Sequence, residues 1–116
     1  MTGNQGDEAV AETRIYRAAS GTPDSVTPRP GIDDLPGGGV SFWSSVAHLS
    51  PGKYIEVDPG RLRDLIARFD GNPPGHVTVA PPSSALLADW AATRGTGVIH
   101  PLTQELLGAI TRLGRK

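Results

Sequence analysis

The sequence predicts one small domain in which short strands and about three helices share a single core. Three observations predict it. The chain has 116 residues, about the commonest size for one domain. Several stretches alternate apolar and polar residues with the period of a strand, whereas three later stretches place apolar residues at helical spacing. Glycine (15) and proline (11) are abundant and the hydrophobic fraction is 37%, so much of the backbone is turn and loop.

The first twelve residues are rich in Gly, Gln and acid and read as a disordered lead-in, leaving 13–116 as the domain. Ile15-Tyr16-Arg17-Ala18 alternates and reads as the first strand. Arg17 there is either a solvated edge residue or a bidentate anion clamp. Ser20 to Gly38 forms a long irregular loop with four prolines. Loops of that length inside compact domains are often lids or binding loops. Asp33-Asp34 within it reads as a turn former, with cation contact as the alternative.

Gly37-Gly38-Gly39 then runs into a second strand, with Val40 and Phe42 on one face and Ser41, Trp43 and Ser45 on the other. Glycines allow a sharp turn or a close approach of the backbone to a ligand. After the Ser50-Pro51-Gly52 turn, Lys53 to Val57 forms a third strand. Asp58 and Pro59 carry the signature of a helix start. The stripe Leu62, Leu65, Ile66, Phe69 predicts a helix that stops at Asp70-Gly71-Asn72-Pro73-Pro74-Gly75. His76 to Ala80 forms the next strand. Ser83 or Ser84 caps a helix that buries Leu86, Leu87 and Trp90. Thr96 to Ile99 suggests a short strand. Pro101 opens a last helix over Leu102 to Leu113, closed by Gly114, with the final two residues frayed.

The totals exclude several classes. A formal net charge of −1 offers no general electrostatic grip on nucleic acid, although Arg112, Arg115 and Lys116 form a local basic patch. The absence of cysteine removes disulfides, thiol nucleophiles and cysteine-bound zinc. No histidine pair has helical metal-ligand spacing, so no metal site is expected. No apolar run reaches the length of a membrane span, and no basic-then-apolar signal segment opens the chain. The expected location is therefore cytoplasmic, or the cytoplasm of a target cell reached through a dedicated delivery machine.

The chemistry on offer centres on His76 and Thr78. Two residues apart on a strand, they share a face, where imidazole and hydroxyl can both touch a ribose or phosphate. A capping or surface role is the structural alternative for His76. His48 and Ser50 repeat the spacing, as two-histidine phosphoesterases do, but in a chain too short for two lobes. His100 reads as a helix cap and Glu105 as an acid near a helix start. No Gly-x-Ser-x-Gly elbow is present, which disfavours a serine hydrolase.

Four pieces in order carry a resemblance: Ile15-Tyr16-Arg17-Ala18; Gly38-Gly39-Val40-Ser41-Phe42; Gly52-Lys53-Tyr54-Ile55 leading to Asp58-Pro59-Gly60-Arg61-Leu62; and His76-Val77-Thr78-Val79-Ala80-Pro81. Together they resemble the Tse-type effector toxins of bacterial type VI secretion over roughly 13–90. Those toxins have a Leu-Tyr-Arg-Ala-like strand, a Gly-Gly-x-Ser-x-Phe segment and a His-Tyr-Thr-Ile-x-Pro-like strand. The resemblance implies an α+β fold like that of ADP-ribosyltransferase toxins, with a small, mostly antiparallel sheet. It also implies an intracellular-acting toxin that uses NAD on a cytosolic target and is neutralised by a cognate immunity protein. Arg17, Ser41, His76 and Thr78 match the catalytic positions, with Tyr16, Gly38, Gly39, Phe42 and Trp43 around the cofactor. The chain departs from the wider transferase pattern in lacking a Glu-x-Glu or Gln-x-Glu pair on a late strand. Two other classes fit the same residues. One is a small ribonuclease using His76 with Arg17 or Arg94 on the phosphate of RNA; the other is a non-catalytic binding module.

Overall fold

A computed structural model describes residues 13–116; the expected lead-in lies outside the described residues. The fold is α+β. Six strands form one sheet in the order β4-β5-β2-β1-β3-β6. They are β1 (Ile15–Arg17), β2 (Val40–Trp43), β3 (Lys53–Val57), β4 (Ile66–Arg68), β5 (His76–Ala80) and β6 (Ile110–Arg115). Every pairing is antiparallel. Two α-helices follow β5: α1 (Ser84–Ala91) and α2 (Pro101–Gly108).

Alternation sorts the strands' side chains to two faces. Ile15, Val40, Phe42, Ile55, Val57, Val77 and Val79 point one way and are buried against Leu87 and Trp90 of α1 and Leu102 and Leu106 of α2. Val26, from a 3-10 turn at Pro23–Val26, completes this core. A buried polar chain crosses it. Trp90 Nε1 donates to Thr103 Oγ1 at 2.8 Å, and Thr103 shares a 2.8 Å hydrogen bond with Thr27. Satisfying these groups removes the desolvation cost that unpaired buried donors carry.

Several expectations hold. Ser83 caps α1 through its hydroxyl, and of the expected Leu86, Leu87 and Trp90 the last two are buried while Leu86 is half-buried. His100 caps α2, its Nδ1 accepting from Leu102 N. Asp33 and Asp34 brace the long loop, taking backbone N–H groups from Arg29 and Gly31.

Several other expectations are corrected. The stripe from Leu62 to Phe69 is not a helix. Asp58 and Pro59 start only a 3-10 turn (Pro59–Arg61), and Ile66–Arg68 becomes β4, an edge strand on β5. Only Leu65 of the stripe's last three members is buried; Ile66 and Phe69 are 55% and 53% exposed. The Glu105 carboxylate holds the linking segment in a bend by accepting from the N–H groups of Arg63, Asp64 and Leu65. The final helix stops at Gly108, and Ile110–Arg115 forms β6 on the free edge of β3. Its end is not frayed: Lys116 and Gly52 exchange two backbone hydrogen bonds. The residues from Thr96 to Ile99 form a bend and irregular backbone rather than a strand. The count is accordingly two α-helices among the described residues, not about three.

Candidate functional site

The second face of the sheet is where the chemistry gathers. Residues directly opposite in an antiparallel pair share a face. The register therefore lays out two rows. One runs Arg68, Thr78, Ser41 across β4, β5 and β2. The other runs His76, Trp43, Tyr16, Glu56, Arg112 across β5, β2, β1, β3 and β6. The helices pack on the opposite face, so these side chains are mostly half-buried rather than enclosed.

At the β2–β5 end the polar groups are in direct contact. Ser41 Oγ lies 3.1 Å from His76 Nε2. His76 Nδ1 lies 2.8 Å from Asp70 Oδ1. The other Asp70 oxygen accepts from the Thr78 hydroxyl at 2.6 Å. The Thr78 hydroxyl, and next the His76 ring, hold the Asp70 carboxyl down to about 2. An ionised carboxylate only accepts, so Nδ1 carries the ring proton. In the neutral imidazole Nε2 is then an acceptor, and the Ser41 hydroxyl donates to it.

Trp43 lines this array. Its ring stacks on His48 with centroids 5.3 Å apart and meets His76 edge-on at 5.1 Å. His48 sits so close to Gly75 that a Cβ there would stand 2.4 Å from its Nε2, and Gly75 has φ +85°. The positive φ favours glycine, and a Cβ there would also displace the His48 ring from its place on Trp43. Tyr16 lies next along the row, edge-on to Tyr54 at 6.1 Å. Arg68 reaches back to Gly37 O at 2.8 Å and stands 4.0 Å from Asp70 Oδ2.

The structure thus brings together Ser41, His76, Thr78, Trp43 and Tyr16, and separates the others. Arg17 follows Tyr16 on β1 and so points to the helix-bearing face. Its Nε donates to Ser25 O and its Nη1 to Ser41 O, each at 2.9 Å. Burial lowers its basicity. Arg17 ties the long loop to β2 from behind. Phe42 is a core residue with no exposure. The close approach that Gly38 and Gly39 permit is to their own chain: a Cβ would stand 2.2 Å from Asp33 O at Gly38 and 2.5 Å from Val79 O at Gly39. Arg94 donates to Asp24 O through Nε and is not part of the array.

Sequence reasoning missed Asp70. Assigning a helix to the preceding residues left it a helix-terminating turn residue. Read as a β4–β5 hairpin, the same stretch folds Asp70 back onto His76 and Thr78, and that hairpin was the available signal. No protein family, curated protein or solved structure matches the chain.

Proposed function

We propose that this chain is a bacterial toxin of ADP-ribosyltransferase-like fold that acts inside cells, uses or cleaves NAD to modify a cytosolic target, and is neutralised by a cognate immunity protein. The observation that carries this reading is the β2–β5 register. It joins Ser41 to His76 and Thr78, residues of two separate motifs, on one face of the sheet.

The donor set suits the cofactor. Ser41 and His76 offer a hydroxyl and an imidazole for ribose hydroxyls, while Trp43 and Tyr16 offer flat rings to a base or a nicotinamide. NAD supplies the glycosidic bond whose cleavage releases nicotinamide. Asp70 answers the missing late-strand glutamate. Its carboxylate, anchored by Thr78 and His76, is the fixed negative charge that this reading sets against the positive charge developing on a ribose. Arg17 acts in this reading by holding the Ser41 carbonyl, so it fixes the strand that presents the Ser41 hydroxyl.

Induction of the chain in a bacterium tests the proposal. The native chain is expected to arrest growth, and Ser41→Ala and His76→Ala, each shown to be folded, are expected to relieve the arrest. Arrest with intact RNA and a depleted or redirected dinucleotide pool separates this reading from ribonuclease action. A soluble, folded native chain that leaves growth unaffected overturns it.

A further inference from the structure

We infer that Ser41 is an activated nucleophile and that the site also transfers acyl groups from small aryl or alkyl esters through a serine-bound intermediate. The inference rests on the contacts Ser41 Oγ to His76 Nε2 at 3.1 Å, His76 Nδ1 to Asp70 Oδ1 at 2.8 Å, and Thr78 Oγ1 to Asp70 Oδ2 at 2.6 Å. Each atom has the partner that nucleophilic catalysis needs. The serine faces the ring nitrogen that accepts, the carboxylate faces the one that donates, and a third group fixes the carboxylate. Such arrays are recognised by geometry and not by sequence position. This one is built from two neighbouring strands and a hairpin, with no elbow motif. The His76 and Asp70 side chains are 15% and 24% exposed, and Ser41 is half-buried. The array is therefore shielded and in part open to solvent.

The step balances as follows. Ser41 Oγ bonds to the ester carbonyl carbon while its proton passes to His76 Nε2. The resulting imidazolium is held by Asp70. The carbon–oxygen bond to the alcohol breaks, and Nε2 returns the proton to the departing oxygen. Water then attacks the acyl-serine, giving its proton to Nε2, which restores it to Ser41 as the carboxylic acid leaves. The sum is ester plus water to acid plus alcohol. Trp43, edge-on to His76, is the flat apolar wall beside the reacting atoms, and it favours an ester with an apolar or aromatic portion. Asp70 is a positioning residue in this scheme: it orients the ring and does not touch the ester.

An alkyl fluorophosphonate tests the inference without any nucleotide, so the outcome is independent of the NAD reading. Attack by Ser41 forms a P–O bond, expels fluoride and releases the serine proton through His76 to solvent. The purified full chain is expected to gain one adduct, mapped by peptide mass to Ser41 rather than to Ser44 or Ser45. His76→Gln is expected to slow labelling about 10²-fold or more. Asp70→Asn is expected to slow it comparably, with part of the rate recovered in Asp70→Glu, which keeps the carboxylate. A second measurement needs no variant: 4-nitrophenyl acetate is expected to give a burst of one equivalent of nitrophenolate per chain. A folded native chain with no Ser41 adduct and no burst overturns the inference. Labelling of Ser41 that is unchanged in folded His76→Gln also overturns it.

Discussion

Asp70 and Glu105 show how much a single carboxylate decides here. Each is held below the ordinary carboxylate range. For Asp70 the causes are the Thr78 hydroxyl and then the His76 ring. For Glu105 burial pushes upward, but backbone N–H groups of Asp64, Leu65 and Arg63 outweigh it. A carboxylate whose folded pKa is depressed adds stability above its unfolded value, near 4, and loses it as pH falls further. For Asp70 that window runs from about 4 down to about 2. The thermal midpoint of the native chain is therefore expected to exceed that of Asp70→Asn at neutral pH, with the margin lost as pH falls between about 4 and 2. A margin independent of pH would mean that Asp70 is not held as described. Glu105→Ala removes one acceptor from three backbone N–H groups. It is expected to cost about 1–2 kcal/mol by denaturant titration, since half-solvated donors recover part of their loss to water.

At the scale of elements, the strands with clean alternation were legible and the edge strands were not. Val40 to Trp43 and His76 to Ala80 pair edge to edge inside the sheet, so their period-two pattern is enforced by a core on one side and a polar surface on the other. β4 and β6 lie at the two ends of the sheet, where burial enforces little. Their short sequences also continue helical stripes, at Leu62–Phe69 and Leu102–Leu113. What decides them is nonlocal: β4 needs the hairpin to β5, and β6 needs the open edge of β3. The same dependence hid Asp70, whose partners lie across that hairpin. The glycine run was legible as a place of close approach, but the neighbour is β5 and the loop, as only the fold could show. Gly39 has φ +155° and no room for a Cβ, whereas Gly37 has φ +81° with nothing within 4 Å. Gly39→Ala is expected to cost on the order of 3 kcal/mol and Gly37→Ala about 1–2 kcal/mol. Unfolding midpoints of the two variants check the order; equal losses would contradict the packing of Gly39 on Val79.

For the molecule as a whole, one sheet divides two tasks. One face and its two helices hold the core, and Arg17 works on that side. The other face carries two rows of hydroxyl, imidazole, aromatic and charged groups, set by register alone. Among the described residues no helix is long and apolar enough to cross a membrane. The shared face of His76 and Thr78 was legible in the sequence; their meeting with Ser41 and Asp70 was not, because strand order places β5 beside β2 and the hairpin returns Asp70, while alternation puts Arg17 on the other face, where it reaches the Ser41 carbonyl and not its hydroxyl. The most direct test of the proposed function is release of nicotinamide from NAD in a bacterial extract supplied with the purified chain. The account predicts release by the native chain and its loss in folded Ser41→Ala and His76→Ala. No release by a folded native chain, or equal release by the two variants, would contradict it.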